Sequence, residues 1–260
     1  MPTQIWNIFF DFHGVLADVT MVIRSYQYYL QRILRSIDIP KGKAIQIHDV
    51  AYRKWLNGIN RISKEYDEGL LNSETFMQKY NQIDKDWELV ILSYVPLERQ
   101  KEVTPFLKTS ILEYEALSNG KYPILYPEVV SVLSKLFLLK NLHMHIASSA
   151  SSHHVKGALH YHNIDRFFKT IIGYDIVKAP KKARKGDYFR NMLKITRADP
   201  RKSIFIGDSL DEASIAKKCN MIFIMVDREE KNPTSITVDN SKFIVRDLTE
   251  IIEFIKKLIA

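Results

Sequence analysis

The sequence has one cysteine, Cys219, in 260 residues. An intramolecular disulfide is therefore excluded, and nothing points to an oxidising compartment. No run of about 18 apolar residues occurs, so no segment is a candidate for a membrane-spanning helix. Met1-Pro2-Thr3-Gln4 carries no positive charge and leads straight into an apolar run, which argues against a signal peptide. The expected location is cytoplasmic, with no membrane partner. Internal repeats are absent, and the only biased tract is a basic run at 178–185. The eight histidines lack the spacing of a zinc site. His143 and His145 alternate along one strand face, while His153, His154, His160 and His162 surround the next helix; structural or surface roles are expected for them.

Acidic residues are the scarcer charge, 30 against 38 Lys and Arg, giving a net charge of +8 and a pI near 9.3. That balance favours anionic ligands such as phosphate esters, nucleic acid or an acidic surface, without choosing among them. A hydrophobic content of 46% with 26% charged residues belongs to a globular protein with a substantial core.

Short apolar runs suited to buried strands occur at residues 5–10, Leu142–Ala147, Thr170–Ile172, Ser203–Ile206 and Met221–Val226. Helix-length amphipathic stretches separate them at Pro127–Lys140, Gly186–Ile195, Asp211–Cys219 and Leu248–Leu258, with Asn220 as a left-handed stop. Strand alternating with helix predicts an α/β fold, a doubly wound, mostly parallel Rossmann-like sheet. Residues 17–121 have another texture. Helical spacing runs from Val19 to Ile37, breaks at Pro40-Lys41-Gly42, and resumes at Ala44–Leu56 and Glu74–Tyr94. They read as an all-helical domain inserted into a core made of residues 1–16 and 122–260.

Three strand ends carry polar chemistry. Asp11 follows the first apolar run, at the carboxyl end where ligands gather in doubly wound sheets; it could equally cap a turn, with Gly14 supplying the bend. Ser148 and Ser149 follow Ile146-Ala147, and could bind an oxyanion or cap the next helix. Asp208 follows Ile206-Gly207, with Asp211 and Glu212 close behind. Carboxylates so crowded repel one another unless a cation sits among them, and an oxygen-rich set suits Mg²⁺. Asp211 and Glu212 could instead favour a helix N-terminus.

In combination these segments resemble a known family. IFFDFHGVLAD (8–18) resembles motif I of the haloacid dehalogenase-like hydrolases, usually D-x-D-G-[TV]. LYPEVVSVLSKLFLLKNLHMHIASSAS (125–151) resembles the helix and strand leading into motif II, and IFIGDSLDEASIAKKCN (204–220) resembles motif IV. The inserted helical stretch matches the position of that family's cap domain.

The resemblance implies Asp11 as a carboxylate nucleophile that attacks phosphorus and forms an aspartyl-phosphate. It implies Mg²⁺ held by Asp11, Asp208 and the backbone carbonyl of His13, with Glu212 or Asp211 in support. Ser148 would hold a phosphoryl oxygen, with Ser149 beside it, and a motif III lysine would neutralise the phosphate. Among Lys178, Lys181, Lys182 and Lys185, the lysine before Gly186-Asp187-Tyr188, Lys185, is the first choice, and Lys182 the second, as a substrate-binding group. The rest of 178–185 reads as solvated surface, or as a nucleic-acid patch lacking aromatics for base stacking. The departure is His13, where phosphatases of the family place an acid–base Asp; an imidazole can do both jobs.

The expected activity is Mg²⁺-dependent hydrolysis of a small phosphorylated metabolite, with the cap closing over Asp11 and tyrosines of the 19–37 helix as candidate lining. Metal-independent dehalogenation at carbon is one alternative. The other is a binding protein that has lost efficient catalysis and uses the basic loop. Substrate and oligomeric state are not legible.

Overall fold

The computed structural model describes residues 5–107, 120–229 and 243–259. Residues 1–4, on which the reading of the N-terminus rests, and 108–119 of the inserted stretch lie outside them. The chain divides into two compact units, Met1–Val19 with Leu125–Ala260, and Thr20–Ile124.

The first unit is built on six parallel strands: β1 (Trp6–Phe10), β2 (Leu142–Ala147), β3 (Thr170–Ile172), β4 (Ser203–Gly207), β5 (Ile222–Val226) and β6 (Ile244–Val245), in the order β3-β2-β1-β4-β5-β6. β1 lies between β2 and β4, with Phe10 paired to Ile146 on one side and Ile206 on the other. Ile8, Phe9, Phe10, Ile204, Phe205 and Ile206 are all fully buried. Continuous apolar strands of this kind are what a sheet covered on both faces requires. The chain winds outward from β1 through β2 to β3, then returns across β1 to β4. The winding therefore reverses between β1 and β4, and the crevice at their carboxyl ends is the ligand position of a doubly wound sheet. Asp11 and Asp208 emerge there.

Among its described residues this unit also has helices α5 (Val129–Phe137), α6 (Ser152–Tyr161), α7 (Tyr174–Val177), α8 (Asp187–Thr196), α9 (Leu210–Lys218) and α10 (Ile251–Ile259). Asn220 adopts the left-handed conformation (φ 56°) expected of a stop after α9. Neither the two-residue β6 nor the one-turn α7 was signalled by periodicity, since neither is long enough to show any.

The second unit contains α1 (Val19–Arg35), α2 (Lys41–Asp67), α3 (Ser73–Leu92) and α4 (Gln100–Leu107), with no strand among its described residues. Leu30 and Leu34 from α1, Ala44, Ile47 and Ala51 from α2, and Phe76 from α3 form its core. α2 runs well beyond the expected Ala44–Leu56. Gly58 hides the continuation by lowering helix propensity, yet a Cβ there would lie 3.1 Å from Ile83, so its bare backbone lets α3 come close. Tyrosines expected to line a substrate site serve this unit's own packing. The Tyr26 ring lies 5.2 Å from both His48 and Trp87, and Tyr29 is buried and donates to the Phe106 carbonyl at 3.2 Å.

Candidate active site

Asp11 directly continues β1, its N–H donating to the Ile206 carbonyl at 2.8 Å. The chain then turns sharply: Gly14 donates to the Ala17 carbonyl at 2.8 Å, and Leu16 and Ala17 to that of Phe12 at 3.0 and 2.8 Å. Gly14 sits at φ +82°, and a Cβ on it would fall 2.1 Å from Asp208 Oδ2. Glycine is thus required twice, for the left-handed backbone and for the approach of Asp208.

The lysine that reaches Asp11 is Lys181, not Lys185. Its Nζ lies 2.6 Å from Asp11 Oδ1 and 2.8 Å from Glu212 Oε1, and the residue is 2% exposed. Lys182 and Lys185 are both exposed. Ala179, Pro180, Lys181 and Ala183 face inward while Lys178, Lys182, Arg184 and Lys185 face outward. A charge count along the loop does not reveal this division, but the small apolar residues on either side of Lys181 do hint at an inward-facing stretch.

Asp11, Asp208 and Glu212 each bring a carboxylate oxygen within 4.8 Å of the others. Asp211 is exposed and outside this group. Glu212 is drawn in because Ser209 caps α9, accepting from the Glu212 N–H at 3.4 Å, which turns the third residue of the helix toward the sheet. Gly207 makes room, since a Cβ there would stand 2.3 Å from Glu212 Oε2. Glu212 is fully buried; Lys181 reaches its Oε1, and its Oε2 has no hydrogen-bond partner among the described residues.

The electrostatics follow from three carboxylates meeting one ammonium. Burial raises the Asp11 pKa, with Asp208 adding to the rise and Lys181 opposing it. Burial likewise raises Asp208, helped by Glu212 and opposed by Lys182 and Lys181. Glu212 is raised by burial against the pull of Lys181. For Lys181, burial works against the charge, but Asp11 and Glu212 overcome it and hold the ammonium above its usual value. A group of acids that destabilise one another, one of them with a buried oxygen that has no partner among the described residues, fits a divalent cation.

Asp11 Oδ1 takes both the Phe12 N–H, at 2.7 Å, and Lys181. Among the described residues that leaves Oδ2 as the oxygen available for attack. His13 is half-buried with its ring centroid 6.3 Å from that of His154. Burial and Lys181 lower the His13 pKa to about 4, and burial with His13 and His153 lowers that of His154 to about 3.

Ser148 is fully buried, and its Oγ accepts from the Ala150 N–H at 3.1 Å. The cap of α6 is Ser151, which accepts from His154 N–H at 3.3 Å, so Ser148 is free of that task. Ser149 is exposed. Sequence reasoning missed Tyr188. Its buried hydroxyl shares its proton between the Ser148 carbonyl at 2.9 Å and the Ile172 carbonyl at 3.0 Å, tying the Ser148 loop to β3. Burial, with Asp11, Asp175 and Glu212 nearby, raises its pKa well above the usual value and keeps it a donor.

A family model described as haloacid dehalogenase-like hydrolase matches residues 52–226 of 260, and the chain belongs to that family. The match spans Ser148, Lys181, Asp208 and Glu212 but begins after Asp11 and His13. No curated protein sequence matches the chain significantly. Among solved structures, the chain is similar to a phosphatase of this family from Thermococcus onnurineus, at 18% identity and TM-score 0.62, covering 96% of this chain and 98% of that one. It is similar to the L-2-haloacid dehalogenase of Xanthobacter autotrophicus with chloropropionic acid covalently bound, at 14% identity and TM-score 0.60, covering 97% and 99%. It is also similar to magnesium-bound YfnB of Bacillus subtilis, at 14% identity and TM-score 0.60, covering 96% and 98%. These likenesses carry the fold; phosphatase and dehalogenase both occur on it.

Proposed function

We propose that the chain is a Mg²⁺-dependent phosphohydrolase acting on a small phosphorylated substrate through Asp11. The observation that carries this reading is the trio Asp11, Asp208 and Glu212, with oxygens within 4.8 Å and, among the described residues, Lys181 as the one cation in ion pairs with it, to Asp11 and Glu212. Hydrolysis at carbon by a lone carboxylate has no use for such an excess of acid.

Mg²⁺ would be held by Asp11 and Asp208, with Glu212 in support and the His13 carbonyl as a further ligand; when bound it polarises the phosphoryl group. Asp11 Oδ2 attacks phosphorus, and the P–O bond to the leaving group breaks as the bond to Asp11 forms. Lys181 fixes Oδ1 and offsets part of the charge that accumulates. Ser148 Oγ donates to a phosphoryl oxygen. Water then attacks phosphorus and frees Asp11. His13, which burial and Lys181 hold neutral, would accept the proton that this water loses and release it to solvent, and the leaving oxygen takes its proton from water.

The test is phosphate release from a panel of aryl and sugar phosphates with Mg²⁺ or with chelator, for wild type and Asp11→Asn. Turnover that both chelation and the substitution abolish supports the reading. Chloride release from 2-chloropropionate in the presence of chelator would move the assignment to dehalogenation. Salt-sensitive binding of an acidic partner that survives Asp11→Asn, with no phosphate released from any ester, would favour a binding role for the outward cations of 178–185.

A further inference from the structure

Arg228 follows β5, far in sequence from motif I, yet its side chain is held on three sides around the turn that carries His13. Its Nη2 donates to the Val15 carbonyl at 2.8 Å and to Glu128 Oε1 at 2.7 Å. The guanidinium lies 3.6 Å from the centroid of the Tyr126 ring. The side chain is 15% exposed, as is that of Glu128. Its Nε is buried without a hydrogen-bond partner among the described residues.

A buried guanidinium with an orphaned N–H is costly, and a purely packing role would be filled more cheaply by an apolar side chain. What this arginine does is grip the turn that carries the site. The segment Phe12–Ala17 is closed by its own backbone bonds, Gly14 to Ala17 and Leu16 and Ala17 to Phe12. Val15 lies at its tip, and its carbonyl is spent outward on Arg228. Glu128 accepts from the same Nη2, and the Tyr126 ring lies against the guanidinium. The Tyr126 hydroxyl also feels the site: after burial and Asp18, Arg228 and Asp208 both act on its pKa. The clamp thus adjoins the nucleophile turn and its acidic partner.

We propose that Arg228 is a positioning residue that locks the Phe12–Ala17 turn, and with it the His13 carbonyl and ring, in register with Asp208. A charged fork is suited to this task because one planar group meets a carbonyl, a carboxylate and an aromatic face at once. The consequence for turnover rests on the phosphohydrolase reading above; the clamp itself does not.

The experiment compares wild type, Arg228→Lys and Arg228→Met. Amide hydrogen exchange at Gly14, Leu16 and Ala17 needs neither metal nor substrate. It is expected to speed up by about tenfold or more in both variants, with β4 and β5 amides unchanged. Mg²⁺ affinity by calorimetry is expected to weaken about 10–100-fold, as for other groups that orient metal ligands. kcat should fall by a similar factor at unchanged KM, with partial recovery on adding guanidinium to Arg228→Met. Wild-type exchange at the turn in a folded Arg228→Lys variant overturns the proposal. So does a rise in KM alone, which would make Arg228 a substrate contact. If wild type neither binds Mg²⁺ nor releases phosphate, the functional reading has failed while the exchange data still decide the clamp.

Discussion

The same sheet carries two polar clusters, one around the buried His145 and one that reaches the surface at Asp208, and they are solved in opposite ways. In the interior, His145 on β2 sits between Asn7 and Thr170. Its Nε2 lies 3.2 Å from Asn7 Oδ1 and its Nδ1 2.7 Å from Thr170 Oγ1, and its ring stacks on Phe9 at 4.8 Å. A neutral imidazole has one donor and one acceptor, so both nitrogens are satisfied and nothing further is asked of the site. At the strand ends, Asp11, Asp208, Glu212 and Lys181 leave acid in excess, and Glu212 Oε2 without a partner among the described residues. Buried polarity that balances is structure. Buried polarity that does not balance calls for a ligand.

The contrast predicts separable phenotypes. The largest effect belongs to Lys181→Met. It leaves Asp11 and Glu212 buried without their cation, at a cost of about 3–5 kcal/mol, and it should also abolish turnover. Chemical denaturation at pH 7, repeated with Mg²⁺ present, checks the first part. Stability equal to wild type would show that the ion pairs contribute nothing.

His145 should affect stability alone, and in a definite pH window. Burial, with His143 and Lys169 adding to it, lowers its folded pKa to about 3, below the usual 6.5. The unfolded state therefore binds the proton first. The stability that the neutral ring contributes is complete above pH 6.5 and is lost as pH falls from 6.5 toward about 3. The loss is about 1.4 kcal/mol per unit, or about 2 kcal/mol at pH 5. Denaturant melts at pH 7 and pH 5 should show that slope in wild type, and a shallower one in His145→Gln, whose turnover at pH 7 should be preserved. Equal slopes would contradict the account.

The smallest effect is expected for Lys185→Met. An exposed position away from Asp11 should shift stability by no more than about 0.5 kcal/mol and leave turnover intact. Loss of activity there, with Lys181→Met still active, would restore the original sequence choice.

That choice shows where legibility ends. The strands and the helices after them were readable because continuous apolar runs and a helical period survive in one sequence. The placement of Asp11, Ser148 and Asp208 was readable because each directly follows an apolar strand run. Glu212 was readable as one of two, but choosing it over Asp211 needed the Ser209 cap. The lysine was not readable, because a flexible four-carbon stem in an irregular loop has no period. Its own burial and its contacts with Asp11 and Glu212 show that Lys181 faces inward, together with Ala179, Pro180 and Ala183. Tyr188 was hidden for another reason: its hydrogen bonds go to two carbonyls distant in sequence, and it looks like any apolar position of α8. In the inserted unit, Gly58 concealed the length of α2 because close packing against Ile83 overrides local propensity.

The central claim is that Asp11 is the nucleophile in phosphoryl transfer. Its most direct test is mass spectrometry of the peptide containing Asp11 after acid quench during turnover of an aryl phosphate with Mg²⁺. The account predicts one phosphoryl group on Asp11, formed with Mg²⁺ and missing after chelation. Turnover that leaves Asp11 unmodified, or places the group on Ser148 or His13, would contradict it.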